Sequence, residues 1–213
     1  MINRKVTKPL LRGYFHEWMF FISVGACIPL IANSSNSIEL ASTIIYSIGV
    51  CMMFGFSALY HRVDWRSRVL IIMRRLDHSA IFVMIAGSFT PICLLVLPGN
   101  TGIQLLFIIW IIAGIGILQT VLFTETPRLI RAGIYLVAGY MAIPYLSVMF
   151  SVMSMTNFIL TAASGTIYTV GAIGYGFQFP DISPKYFGYH EFFHILVSIA
   201  AVLHFIVIYS IVG

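Results

Sequence analysis

The sequence predicts an all-α integral membrane protein, a seven-transmembrane helix bundle with its N-terminus in the cytoplasm and its C-terminus outside. Three observations carry that expectation. Apolar residues make up 60% of the 213 residues and charged residues only 9%, with a mean hydropathy of +0.97, whereas an ordinary soluble domain carries about 25% charged residues. The apolar residues gather into seven runs near the roughly 20-residue length that spans a bilayer as a helix. The basic residues fall only in alternate connectors. So few charges exclude a soluble enzyme, a disordered chain and a basic nucleic-acid binder.

The runs follow in order: 18–33, 40–61, 76–97, 102–123, 132–153, 157–177 and 188–212. Polar or helix-breaking strings separate several of them: Asn33-Ser34-Ser35-Asn36-Ser37, Pro98-Gly99-Asn100, Thr126-Pro127 and Pro180-Asp181-Ile182-Ser183-Pro184. Pro91 and Pro144 lie inside the third and fifth runs and predict kinks. No internal repeat is evident, so residues 1–213 read as a single domain led by a short basic tail over 1–13.

All 12 Lys and Arg lie on one side of this topology. Arg4, Lys5, Lys8 and Arg12 are in the tail; Arg62, Arg66, Arg68, Arg74 and Arg75 lie between the second and third runs. Arg128 and Arg131 follow the fourth, and Lys185 precedes the seventh. The positive-inside rule makes that side cytoplasmic. No small-residue cleavage site follows the first run, so it reads as a retained helix rather than a secretory leader. Cys27, Cys51 and Cys93 sit in apolar runs without a CxxC, as small buried hydrophobes do.

Ionisable residues at membrane depth are functional candidates. His61 ends the second run, Asp77 and His78 open the third, and His190, Glu191 and His194 open the seventh. The topology puts all of them at one depth, near the cytoplasmic face. His190 and His194, four apart, share one helix face about 6 Å apart along the axis. Ser57 and His61 repeat that spacing. Paired histidines near an interface can simply bond backbone carbonyls, but a third imidazole from His61 completes a set suited to a metal. Zinc with three protein ligands and an open fourth position is the catalytic arrangement. Asp77 is then placed as hydrogen-bond partner or general base for a water in that position, and Ser57 to orient that water or donate to an oxyanion.

The string His190-Glu191-Phe192-Phe193-His194 fits HExxH, but its membrane context argues against a soluble metalloprotease. Glu191 turns about 100° from His190 on a helix, and reads as an interfacial carboxylate paired with Lys185 or an arginine. His204 lies about 15 Å further along the axis than His194, too far to be a ligand, and reads as a packed histidine bonding a neighbouring helix. His78 and His16 read as interfacial.

At these positions the chain resembles the hemolysin III family, the bacterial branch of the progestin and adipoQ receptor (PAQR) superfamily. The matching strings are Ser57-Ala58-Leu59-Tyr60-His61, Leu76-Asp77-His78-Ser79-Ala80-Ile81-Phe82 running into Ala86-Gly87-Ser88-Phe89-Thr90-Pro91, and His190-x3-His194 with His204-Phe205. The resemblance implies zinc on His61, His190 and His194, with Asp77 and Ser57 as catalytic groups beside it. It implies hydrolysis of a lipid amide or ester, as in ceramidases. Membrane lipids are the expected partners, with a lipid substrate inside the bundle, and a bacterial inner membrane is the expected location. The alternatives are a non-enzymatic sensor with structural zinc and a lytic membrane protein. One departure stands out: the family's first helix carries Asn and His where this chain has Phe20 and Val24.

Overall fold

The structure, a computed structural model, describes residues 9–183 and 185–213. The expected basic tail residues Arg4, Lys5 and Lys8 lie outside the described residues, as does Pro184 of the last connector. The helices are α1 (Tyr14–Ala32), α2 (Ser37–Arg62), α3 (Ser67–Pro91), α4 (Gly99–Leu122), α5 (Arg128–Tyr140), α6 (Leu146–Val152), α7 (Met155–Phe177) and α8 (Tyr189–Ser210). The α5 and α6 helices form one span, so among the described residues seven helical spans are long and apolar enough to cross a membrane.

Each buried stripe has helical spacing. On α2 it runs Tyr46, Val50, Met53, Ser57, His61; on α8 it runs His194, Val197, Ala201, His204, Ile208. The stripe that packs the core therefore also carries the histidines. On α4, Leu105, Ile109, Ala113 and Gly116 face inward, while Phe107, Ile111, Ile115, Leu118 and Leu122 are exposed. That outward face is as apolar as the inward one, which is how a lipid-facing helix differs from a soluble one.

One departure from the sequence expectation has a physical cause, and the two expected proline kinks are present. The third helix begins at Ser67, nine residues before the apolar run. Hydropathy marks the bilayer core, not the helix end, and Arg is a good helix former, so Arg68, Arg74 and Arg75 lie in the helix rather than in a connector. At the far end of that span, Pro91 is followed by a π-helical turn over Ile92–Val96. The fifth span breaks after Tyr140 and resumes through a 3-10 turn, Ile143–Tyr145, that contains Pro144. Proline removes a backbone donor and crowds the preceding turn, which accounts for both irregularities.

The α2 and α3 helices pack closely along small residues. A Cβ on Gly49 would lie 3.1 Å from the Val83 carbonyl oxygen, and one on Gly87 would lie 3.2 Å from that of Ile45. This approach sets α3, and with it Asp77, against α2. The basic ends of the bundle meet: Leu10 N donates to Lys185 O at 3.0 Å, Leu11 N to Tyr186 O at 3.2 Å, and Arg62 pairs with Glu17 at 2.8 Å.

Candidate metal centre

His61, His190 and His194 each place one ring nitrogen within 4.8 Å of the other two. His61 and His194 are buried and His190 is half-buried. His61 Nε2 and His190 Nε2 are 3.1 Å apart. Imidazoles holding one tetrahedral zinc at about 2.0–2.1 Å would have their nitrogens roughly 3.3 Å apart, so this pair already has the required spacing. His194 Nδ1 is buried with no hydrogen-bond partner among the described residues, a cost that a protein accepts where another group completes the site. The donor set and the geometry therefore fit a metal ion. Among the described residues, this is the one group of three or more potential ligands so placed.

Around the three imidazoles, Asp77 Oδ2 lies 3.9 Å from His61 Nε2 and 3.9 Å from His78 Nε2. Asp77 is buried, as is Ser57 one turn before His61. The Ser57 hydroxyl is 2.8 Å from His16 Nδ1. His16 corrects the interfacial expectation. It is buried, its ring stacks on that of His194 with centroids 3.7 Å apart, and the Phe54 ring meets it edge-on at 5.1 Å. His16 comes from α1, so a fourth histidine from a third helix joins the cluster.

The α1 start is held there by Gly13, whose φ of 85° is left-handed. A Cβ at Gly13 would lie 2.7 Å from the Cβ of His61; only glycine combines this conformation with this approach. Glu191 is fully buried rather than interfacial, and pairs with Arg12. Its second carboxylate oxygen accepts from Gly188 N at 2.8 Å, which caps α8 immediately before His190. The pairing with an arginine agrees with the sequence expectation; the burial does not. His78 is likewise not a free interfacial group: Arg131 Nη1 is 3.4 Å from its Nε2. His204 behaves as expected, with Nε2 donating to Ser88 O at 3.2 Å and Nδ1 3.4 Å from Ser164 Oγ.

The cluster forms one end of a cavity of about 180 Å³. His16, Ser57, Asp77, His190 and His194 line that end, and apolar side chains such as Ile81, Met84, Phe193 and Val197 line the body. The exposed Tyr140 of α5 and the exposed Gly165 of α7 belong to its wall. There the Tyr140 hydroxyl lies 3.0 Å from Thr169 Oγ1. Neither Phe20 nor Val24 is among the residues that line the cavity, and Phe20 follows His16 by one turn of α1. Val24 is 40% exposed on the outside of α1, and the Phe20 ring packs over Gly55, where a Cβ would lie 3.1 Å from it.

Comparison with known proteins agrees with these motifs. The profile of the family described as "Haemolysin-III related" matches residues 4–205. The chain is 30% identical over 173 residues to the "Hemolysin-3 homolog" of Bacillus subtilis (strain 168), covering 80% of this chain and 81% of that protein. It is 31% identical over 173 residues to "Hemolysin-3" of Bacillus cereus, covering 79% and 78% respectively. More distantly, it is 26% identical over 204 residues to the "Monocyte to macrophage differentiation factor" of Homo sapiens, covering 92% and 81%. With seven membrane-crossing spans and a buried three-histidine cluster that can hold a metal ion, the chain is an integral membrane protein and belongs to the haemolysin III-related family.

Proposed function

We propose that the protein is a zinc-dependent hydrolase of a lipid amide or ester. The observation that carries the reading is the convergence of His61, His190 and His194 at the end of an apolar cavity also lined by Asp77 and Ser57. Three imidazoles with no carboxylate or thiolate in the set suit zinc, and zinc so held supplies Lewis acidity toward a carbonyl. The other roles belong to the chain. The apolar wall takes the hydrocarbon chain of the substrate and excludes water from its length. The carbonyl then lies at the histidine end, beside Ser57. A Ser57 hydroxyl that accepts from His16 Nδ1–H keeps its own proton to donate, toward Asp77 or toward the developing oxyanion. Asp77 accepts a proton from the attacking water and returns one to the departing amine or alkoxide.

The exposed wall residues Tyr140 and Gly165, on α5 and α7, mark where a membrane lipid would enter the cavity. The same reading places the cluster near the inner leaflet of a bacterial plasma membrane, because the basic residues gather at the histidine end of the bundle. The test is turnover by the purified protein in lipid nanodiscs, with release of free fatty acid measured by mass spectrometry from an N-acyl sphingoid and from an acyl ester. Zinc-loaded protein is expected to release fatty acid, chelated protein and the Asp77→Asn variant not. Hydrolysis that persists after the metal is removed, or none with any acyl lipid at full zinc occupancy, overturns the reading. The second outcome leaves a sensor with structural zinc.

A further inference from the structure

Beside the histidine cluster, on the other side of α3, lies a second and smaller pocket that the hydrolase reading does not use. Its wall includes Arg74, Arg75, His78, Gln119, Thr126 and Arg131, from α3, the end of α4, the following connector and the start of α5. Its volume is about 10 Å³, room for one water-sized group.

The charge in this pocket is unbalanced. Among the described residues, the one ion pair made by its three arginines is Arg74 with Glu125, at 3.4 Å, and that Glu125 side chain is 88% exposed. Arg131 is buried. Its Nη2 donates to Thr126 O at 2.8 Å, while Nη1 has only long contacts, 3.4 Å to His78 Nε2 and 3.5 Å to the Tyr175 hydroxyl. Arg75 Nε is buried and has no hydrogen-bond partner among the described residues. Asp77 acts on Arg131 electrostatically without forming an ion pair with it, and that one carboxylate leaves three guanidiniums under-compensated; a buried guanidinium without a full set of acceptors is costly. An exposed arginine fringe would instead leave its donors in water.

The geometry points to an anion site in this pocket, one that takes a phosphate group through Arg74, Arg75 and Arg131. Phosphate oxygens accept pairs of N–H donors from a guanidinium fork, and one oxygen fills the space available while the remainder faces outward. One neutral donor suits the same ligand: Gln119 Nε2 gives one N–H to Thr126 Oγ1 at 2.6 Å and keeps a second, while the Thr126 hydroxyl donates to Phe123 O at 2.8 Å. His78 lines both this pocket and the central cavity, so a phosphate here sits one side chain away from the histidine cluster. The inference does not depend on hydrolysis. The phosphate is either that of an anionic lipid headgroup or free in solution.

The full-length protein in neutral detergent provides the test. Its thermal unfolding midpoint is measured against inorganic phosphate and, separately, against phosphatidylcholine micelles to which phosphatidylglycerol is added stepwise. At least one ligand is expected to raise the midpoint in a saturable way. Arg75→Gln is expected to move the half-effect concentration up by about tenfold, the effect of losing one charge-assisted pair. Arg68→Gln, which removes the same charge from an exposed position on the same helix, is expected to leave it unchanged. A shift with phosphatidylglycerol alone assigns the site to a lipid headgroup, and one with inorganic phosphate assigns it to the soluble anion; either supports it. No saturable shift with either ligand, or equal losses in Arg68→Gln and Arg75→Gln, overturns it. Arg131→Gln is less suitable, because removing a buried guanidinium can unfold the chain.

Discussion

The imidazole of His16 lies flat against that of His194, with ring centroids 3.7 Å apart and planes 2° from parallel. The contact ties α1 to α8 at the metal centre, and His16 Nδ1 also meets Ser57 Oγ at 2.8 Å. His16 thus touches one proposed ligand and one proposed catalytic hydroxyl without being part of the three-histidine group. Removing a group that orients metal-site residues typically costs about 10–100-fold in metal affinity or activity. His16→Ala is expected to lower kcat within that range while leaving one metal per chain at saturating zinc. Steady-state kinetics beside metal analysis checks this; unchanged kcat would make His16 a packing residue.

Asp77 separates chemistry from binding. It is buried with one oxygen 3.9 Å from His61 Nε2, and is outside the group of converging ligands. Asp77→Asn keeps the shape and removes the base. Turnover is expected to fall by about 10²–10⁴-fold, the usual contribution of a positioned acid or base, with the metal content unchanged. Loss of the metal in this variant would instead make Asp77 a ligand.

Gly13 sets how closely α1 approaches α2. At Gly13→Ala the left-handed backbone costs about 1–2 kcal/mol, and the new methyl, 2.7 Å from the Cβ of His61, must displace that side chain. Lower thermal stability together with weaker zinc binding is the expected result. Circular dichroism melts and competition with a zinc chelator measure the two effects, and a stability loss without any change in zinc affinity would show that His61 does not move.

The Arg12–Glu191 pair is a buried ion pair whose acidic partner is fully enclosed. Removing one partner of such a pair typically costs about 3–5 kcal/mol, because it leaves the other charge uncompensated. Arg12→Ala is expected to destabilise the protein strongly, and adding Glu191→Gln to recover much of that loss. If the double variant is as unstable as the single one, the pair is not what holds the start of α8.

Much of the site was legible in the sequence, and for a definite reason. His190 and His194 lie on one helix at the spacing of a single face, and the alternation of basic connectors put the end of α2 at the same depth. The convergence of His61 with them needed no finer information. His16 was not legible. It opens α1 beside Glu17 with no spacing partner on its own helix, and its burial comes from the approach of α1 to α2 and α8 at Gly13. A carboxylate at a span's edge is usually solvated, so the sequence points Glu191 to an interface; Arg12, from a segment before the first span, pairs with it instead. The beginning of α3 was missed because hydropathy ends where the arginines begin, while the helix does not. The same limit hid the arginine pocket: Arg74, Arg75 and Arg131 read as topology signals, and only the packing of α3 against α4 and α5 shows them sharing a space.

Metal analysis of the purified wild-type protein beside its His61→Ala and His190→Ala variants decides whether the three histidines hold an ion. One zinc per wild-type chain is expected, with most of it lost in both variants, each still folded in detergent. A wild-type protein that holds no divalent ion, or variants that keep the full complement, would contradict it.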